Sequence, residues 1–451
     1  MFQKVLIANR GEIAVRILRA CRELGIKTVA VYSRADAGSR VVQLADESVC
    51  IGPGPAKRSY LSDAALIEAA KMTGADALHP GYGFLSEDPD FAEICAENGI
   101  TFIGPKPDVM ARVGDKAEAK RVMKSVGMPL VPGTEGTVES VTDADDIAQQ
   151  LGYPIIIKAV AGGGGRGIAI VRRREDLEST YRATRDTAQQ LFKNSGVYIE
   201  KCIEKFRHCE VQILCDNYGH GVHLGERDCS VQRRRQKLIE EAPAHHLTAE
   251  QRKKMCETAV RGALAAGYSS AGTVEFIVDP DGNFYFMEIN ARIQVEHPVS
   301  EMISSIDLIK EQIRLAAGER LRFKQEDIQL RGHAFECRIN AEDPEKNFEP
   351  DKSGQIKNFI PPGGPGTRVD TYIYSGWTVP PFYDSLIAKL IVWAEDRPSA
   401  IDRMLRALSE TTVEGVKTTI PFHQTVFRHP AFRQGDVFTD FVPRHLGMAG
   451  N

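Results

Sequence analysis

The sequence lacks a CxxC pair, and its nine cysteines (Cys21, Cys50, Cys95, Cys202, Cys209, Cys215, Cys229, Cys256 and Cys337) are odd in number and scattered. Neither a disulfide framework nor a zinc cluster is indicated, and the thiols read as reduced in a cytoplasm. No apolar run approaches the roughly 18 residues that cross a bilayer. Lys4, Arg10, Glu12 and Arg16 interrupt the first segment too often for an export signal, so no membrane partner is expected. Excess positive charge is missing too: 57 Lys and Arg against 61 Asp and Glu leave a net −4. No global field gathers nucleic acid, and any anion must be held locally. Repeats, low-complexity tracts and heptads are absent. What remains, 451 residues at 42% apolar and 26% charged, is ordinary globular usage with room for about three domains.

The chain opens with a βαβ pattern: an apolar run Val5 to Ala8, a helical period from Glu12 to Leu24 closed by Gly25, and a strand from Thr28 to Tyr32. Alternating strands and helices continue through Ile103 and predict a Rossmann-like, doubly wound α/β domain over 1–114. Its first turn, Asn9-Arg10-Gly11-Glu12, has one glycine where a dinucleotide fingerprint needs three. A charged helix (Asp115 to Val126) follows, then a Pro- and Gly-rich connector. A small lobe over about 130–204 comes next, as part of a unit spanning 115–330. Short strands and turn residues over 331–451 predict a third, mixed α+β unit.

In the small lobe, Gly162 to Gly167 satisfies GxGxxG, but no helical pattern opens there, and Ile168 stands where a Walker loop needs lysine. HRD and DFG are missing, so a kinase is not indicated. What remains is a glycine hairpin whose backbone N–H groups can close on a triphosphate, with Lys158 supplying charge; a bare surface hairpin is the alternative.

The densest signal is Ala271 to Asn290, two apolar-rich runs around Asp279-Pro280-Asp281-Gly282. A hairpin turn centred between Asp281 and Gly282 places Glu275 opposite Glu288. Facing carboxylates destabilise a sheet unless a cation lies between them, and oxygen ligands suit Mg²⁺. Asn290, two residues on, adds a third oxygen on the same face. The alternative is a solvated sheet face. Downstream, alternation through Arg292, Gln294 and Glu296 extends that face with an anion site and a general base. The run Arg233-Arg234-Arg235-Gln236-Lys237, flanked by Glu226, Asp228, Glu240 and Glu241, reads as local neutralisation of phosphate and carboxylate, or as a salt-laced helix face.

Together these segments resemble the biotin carboxylase family of ATP-grasp enzymes. The resemblance runs nearly end to end, through Ile7 to Ala14, His79 to Glu87, Phe102 to Pro105, Gly114 to Lys116, the glycine run, Glu226 to Ser230, Arg292 to Pro298 and Glu336 to Pro344. It implies ATP- and bicarbonate-dependent carboxylation of biotin through carboxyphosphate, with Mg²⁺ or Mn²⁺ as cofactor. On that pattern Lys116 and Lys158 contact ATP phosphates and Gly164 and Gly165 close over them. Glu200, Lys201 and Ile203 meet the adenine, with His208, Gln232 and Arg235 near the nucleotide. Glu275, Glu288 and Asn290 hold the metal. Bicarbonate lies against Lys237, Arg292, Gln294 and Val295, with Glu296 as its base. Arg338 and Tyr82 border biotin. The family usually has His or Asn where Arg235 stands and Phe where Pro365 stands, but Arg19 and Glu23 are retained, so a homodimer is expected. No Ala-Met-Lys-Met or Val-Met-Lys-Met biotinylation site occurs; the expectation is a separate biotin carboxyl carrier protein and a separate carboxyltransferase, with acetyl-CoA carboxylase and fatty acid synthesis foremost. The corresponding subunit of a two-subunit pyruvate, acyl-CoA or 2-oxo acid carboxylase is the alternative; a different ATP-grasp ligase and a silent ATP-binding scaffold are the rivals.

Overall fold

The structure, a computed structural model, describes residues 1–134, 136–160, 167–351 and 354–448. Near the N-terminus, β1 (Lys4–Ile7), β2 (Lys27–Ser33), β3 (Glu47–Gly52), β4 (Ala77–His79) and β5 (Thr101–Phe102) form a parallel sheet in the order β3-β2-β1-β4-β5. The inner strands β1, β2 and β4 are largely buried and rich in Val, Ile, Leu and Ala, as a sheet covered by helices on both faces requires. The helix Gly11–Glu23 buries all but three of its residues. The order reverses between β1 and β4, where a doubly wound sheet opens its crevice. Here the two loops are tied together: Asn9 Nδ2 donates to the carbonyls of Pro80 (2.7 Å) and Tyr82 (2.8 Å).

The small lobe pairs β6 (Ile155–Ala159) with β7 (Ile168–Val171) and β8 (Val197–Lys201), backed by the helices Val141–Leu151 and Leu177–Phe192. Ile155, Ile157, Val171, Leu177, Tyr181, Val197 and Ile199 give it a core of its own, separate from the main one. A separately cored lobe can move as a unit.

The remainder is organised on one eight-stranded sheet. Six of its strands are β9 (Arg207–Cys215), β10 (Gly221–Arg233), β11 (Gln236–Ala242), β12 (Ser270–Val278), β13 (Phe284–Asn290) and β14 (His333–Asn340). Their order is β13-β12-β9-β10-β11-β14, followed by the strands Leu386–Ala394 and Thr367–Thr371. The sheet runs without interruption past residue 330, because β14 pairs with β11.

The seam where β11 meets β14 is held by charge as well as by ladder bonds. Glu241 accepts from His333 Nε2 (2.7 Å) and Arg397 Nε (2.7 Å). Burial alone would raise its pKa, but Arg397 and His333 more than reverse this and hold it well below the usual carboxylate range. A depressed folded pKa contributes stability that is fully present above the unfolded value, about 4.3, and is lost progressively as pH falls from there through the folded value. The thermal midpoint should therefore begin to fall below about pH 5 and keep falling on further acidification toward the folded value. Glu241→Gln should lower the midpoint at neutral pH and flatten part of that slope; an unchanged slope would remove Glu241 from the account.

Candidate active site

A row of charge crosses the large sheet. Glu288 on β13, Glu275 on β12, Glu210 on β9 and Arg227 on β10 are successive cross-strand partners. The meeting of Glu275 with Glu288 follows the sequence expectation by a different route. Near the turn, Val278 pairs with Phe284 and Phe276 with Phe286, one step away from the register of a turn centred between Asp281 and Gly282. A bulge at Met287 inserts the missing residue, and the two carboxylates come opposite each other.

Three adjacent carboxylates repel, and Lys237 answers most of that repulsion from β11. Its ammonium donates to Glu210 (2.5 Å), Glu275 (2.9 Å) and Glu296 (2.7 Å). Burial would strip its proton, but the three carboxylates hold its pKa well above that of an ordinary lysine. Lys237 is thus a fixed cation and not a base. Arg227, fully buried, uses all three guanidinium nitrogens on Glu210 (2.5 Å), Gln212 (2.7 Å), Ser300 (3.0 Å), Thr273 (3.2 Å) and Gln294 (2.7 Å). It fixes the Gln294 amide, whose Nε2 donates to Glu275 at 2.8 Å.

Glu288 is different. It has no hydrogen bond or ion pair among the described residues, and burial, then Glu275, raises its pKa, with Lys116 opposing. Asn290 accepts from Arg292 Nη2 at 2.9 Å, while its own Nδ2 is buried without a partner. An uncompensated carboxylate beside Glu275 and an amide oxygen is a donor set that fits a hard divalent cation.

Glu296 immediately precedes the helix His297–Ser304 and accepts from Lys237 and from Arg338 Nη2 (3.0 Å). Burial would raise its pKa; Lys237, Arg338 and Arg227 reverse this and keep it ionised. Arg338 also donates through Nε to Glu240 at 2.6 Å. Arg292 is steadied by Glu87 (2.8 Å), and the Val295 carbonyl accepts from Lys389 Nζ (2.7 Å). Next to this group, Asn9, Glu12, Tyr82, Phe84, Asp384 and Leu386 help line a cavity of about 130 Å³, with the Tyr82 hydroxyl on Glu12.

Two expectations are corrected. The alternation from Arg292 to Glu296 is not a strand: β13 ends at Asn290, and a loop leads into the helix that carries Pro298 in its first turn. The side chains converge through the contacts just given, not through a shared sheet face. The Arg233 to Lys237 run is not a helix face either. Arg234 (φ 48°) and Arg235 (φ 64°) form the two-residue tip of the β10–β11 hairpin in left-handed backbone, which costs non-glycine residues about 1–2 kcal/mol each. The tip brings Gln232 opposite Lys237.

On the lobe side, Glu200 accepts from Lys158 (2.5 Å) and from Lys120. Lys201 turns its ammonium to the carbonyls of Gly152 (2.8 Å) and Tyr153 (3.1 Å), and Ile203 is half-buried just beyond β8. His208 Nε2 lies 3.0 Å from Glu275, and Lys116 begins the helix Lys116–Ser125. Gly164 and Gly165 lie outside the described residues. Sequence reasoning gave no site role to Glu12, Glu87, Lys120, Glu210, Arg227, Glu240 or Lys389. Glu12, Glu87 and Arg227 sit inside segments already singled out, but spacing alone gave no reason to separate them from their neighbours.

Three family models match successive parts of the chain. They are the biotin carboxylase N-terminal domain over 1–110, the ATP-binding domain of the carbamoyl-phosphate synthase L chain over 115–324, and the biotin carboxylase C-terminal domain over 336–444. The chain belongs to the biotin carboxylase family. It is 55% identical to biotin carboxylase 1 of Bacillus subtilis, with 98% of each chain covered. The solved biotin carboxylase component of a pyruvate carboxylase superimposes with a TM-score of 0.88 at 49% identity, covering 99% of both chains. The biotin carboxylase domain of 2-oxoglutarate carboxylase from Hydrogenobacter thermophilus, solved as a dimer with MgADP, ADP and bicarbonate, superimposes with a TM-score of 0.92 at 51% identity, covering 99% and 98% of the two chains. Membership makes this chain an ATP-dependent ligase that forms a carbon–nitrogen bond. No helix among the described residues is long and apolar enough to cross a membrane.

Proposed function

We propose that this biotin carboxylase carries out the first half-reaction of a biotin-dependent carboxylase, transferring carboxyl from bicarbonate to biotin on a separate carrier protein. The observation that carries the reading is Glu296, an ionised carboxylate clamped between Lys237 and Arg338 beside the Glu275–Glu288 pair. Bicarbonate bound to Lys237, Arg292, Gln294 and the Val295 backbone gives its proton to Glu296. Its oxygen then attacks the γ-phosphorus, ADP leaves, and carboxyphosphate forms. Carboxyphosphate breaks into CO₂ and phosphate, the phosphate takes the proton of the biotin ureido nitrogen, and that nitrogen attacks CO₂. Arg338 offsets the negative charge that develops on the ureido oxygen, with Tyr82 at the cavity wall. Mg²⁺ held by Glu275, Glu288 and Asn290 would supply neutralisation of phosphate charge. Lys116 and Lys158 hold phosphate, Gly164 and Gly165 cover it, and Glu200, Lys201, Ile203, His208, Gln232 and Arg235 surround the nucleoside.

A labile mixed anhydride requires a closed, dry site, and the separately cored lobe bearing Lys158 is the element suited to close it. ADP release measured with free biotin, Mg·ATP and bicarbonate should depend on bicarbonate; independence overturns the reading. Arg338→Ala should cut biotin carboxylation about 10²-fold or more while nucleotide affinity stays within about threefold. An unchanged rate would favour a different ATP-grasp ligase.

The acceptor is chosen by the partner carboxyltransferase, and relatives of similar identity carry the names of different carboxylases. We take acetyl-CoA carboxylase, hence fatty acid synthesis in the cytoplasm, as the first assignment to test, with pyruvate and 2-oxo acid carboxylases next. Identifying the carrier and transferase that co-purify decides among them. A homodimer is proposed on the solved dimer of the Hydrogenobacter relative.

A further inference from the structure

Next to Arg338 lies a pair of carboxyls that the reaction as described does not use. Glu240 on β11 and Glu336 on β14 are cross-strand partners, and neither has any exposed surface. They lie on the sheet face covered by the helix His297–Ser304, because Ala242 and Ala334, two residues along from each, pack there against Val299 and Ile303. Glu240 gives one oxygen to Arg338 Nε; its Oε2 and both oxygens of Glu336 find no donor among the described residues. The cations nearby are engaged elsewhere. Arg338 also holds Glu296 through Nη2, and Lys237 holds Glu210, Glu275 and Glu296. Lys389 Nζ lies 3.2 Å from Glu12 and donates to the Val295 carbonyl. On the covering helix, Glu301 turns to Arg16 (2.9 Å) and Arg368 (2.7 Å), and burial keeps His297 neutral, with its Nδ1 at the Gln294 carbonyl. Facing carboxyls in such a place do not both ionise: a buried charge without a counterion is neutralised instead.

We propose that Glu240 and Glu336 hold one proton between them and act as a positioning pair for Arg338. Ionised Glu240 anchors the guanidinium through Nε, and Glu336, kept as the neutral acid, adds no second negative charge behind it. The role, though not the shared proton, rests on the carboxylation reading above. Arg338 favours the ionised form of Glu240, so the proton goes to Glu336. Burial raises the Glu336 pKa well above the ordinary carboxylate range, with Lys389 opposing and Glu240 adding to the rise. Burial raises Glu240 as well, and there Arg338 works against it. When Glu296 takes the bicarbonate proton, it loosens its hold on Arg338 Nη2. Glu240 keeps Nε, so the guanidinium stays aimed while Nη1 and Nη2 serve the ureido oxygen. An ionised Glu336 would offset that charge from behind and draw the guanidinium away from the substrate.

The test begins with infrared difference spectra of the full chain without substrates, at about pH 7, where an ordinary carboxyl is ionised. Subtracting the Glu336→Gln spectrum from that of the unmodified chain should leave the carbonyl band of a protonated carboxyl. In Glu240→Gln that band should titrate away at lower pH than in the unmodified chain, because the neighbouring negative charge is gone and Arg338 is free to face Glu336. Glu336→Gln keeps the size and neutrality of the acid, so its folding is not at stake, and kcat with free biotin should stay within about threefold. Glu240→Gln should lower that kcat about 10–10²-fold while bicarbonate-dependent ADP release without biotin stays within about threefold. No band difference at 336, a band unmoved by Glu240→Gln, a Glu336→Gln variant slowed more than tenfold, or unchanged carboxylation in Glu240→Gln would each overturn the proposal. Bicarbonate-independent ADP release in the unmodified chain would overturn the role together with the carboxylation reading, while the band decides the shared proton by itself.

Discussion

Glu288→Lys should give a folded protein without measurable bicarbonate-dependent ADP release. Glu288 stands opposite Glu275 with no hydrogen bond or ion pair of its own among the described residues, and its carboxyl pKa is raised by burial and by that neighbour. A cation there relieves repulsion within the protein and can pair with Glu275, so the thermal midpoint should hold or rise. The same ammonium fills the place of the divalent ion and removes one of its ligands. Losing electrostatic stabilisation of this kind typically costs 10²–10³-fold per group, and here a ligand is lost and its charge reversed. The expected activity is therefore at least about 10³-fold down, with no rescue by raised Mg²⁺. The decisive pair of measurements is turnover and thermal midpoint on the same preparation. A variant within tenfold of the unmodified rate would remove the metal from Glu288, whereas an unfolded variant would show that the pairing is structural.

How this site could be read from residues, and where reading stopped, follows from the physics of each segment. The hairpin around Asp281-Gly282 was legible because turn chemistry and alternation agree there. Its register came out right only because a bulge at Met287 corrected the turn. β9 is buried along its whole length and β10 almost so, which erases the alternation that would have marked Glu210 and Arg227 as facing one another. The tip at Arg234 and Arg235 carries no Asn or Gly to announce left-handed backbone, so its hairpin was invisible. Arg338 and Glu240 are 98 residues apart, and only the β11–β14 pairing brings them together. The overall α/β plan was far easier to read, because each βαβ step in 1–114 repeats a local pattern.

Lys237 is the hub of the assembled site. It holds Glu210, Glu275 and Glu296 at once, so a substrate anion that draws on its charge alters all three. In the structure described, that charge keeps Glu296 well below the ordinary carboxylate range, which makes it a weak proton acceptor. Bicarbonate and phosphate oxygens arriving at Lys237 and Arg292 bring negative charge beside Glu296. Their approach shifts its pKa upward, toward the value at which a base works best. The base would then be strengthened by the substrate it serves.

Glu296→Gln tests that coupling directly. The amide keeps the side chain's size and one acceptor oxygen, but it cannot take a proton, and its NH₂ must face Lys237 or Arg338. Loss of a positioned general base costs about 10²–10⁴-fold, so kcat should fall by that factor while KM for ATP stays within about threefold. The pH profile separates this from a structural fault. In the unmodified chain, activity should rise with pH through an apparent pKa above the resting value of Glu296, because the substrate-bound complex is what titrates. In the variant that acid limb should vanish, leaving a low, flat rate. A Gln variant that keeps more than a tenth of the original kcat, or one that keeps the acid limb, would assign the proton to a different group.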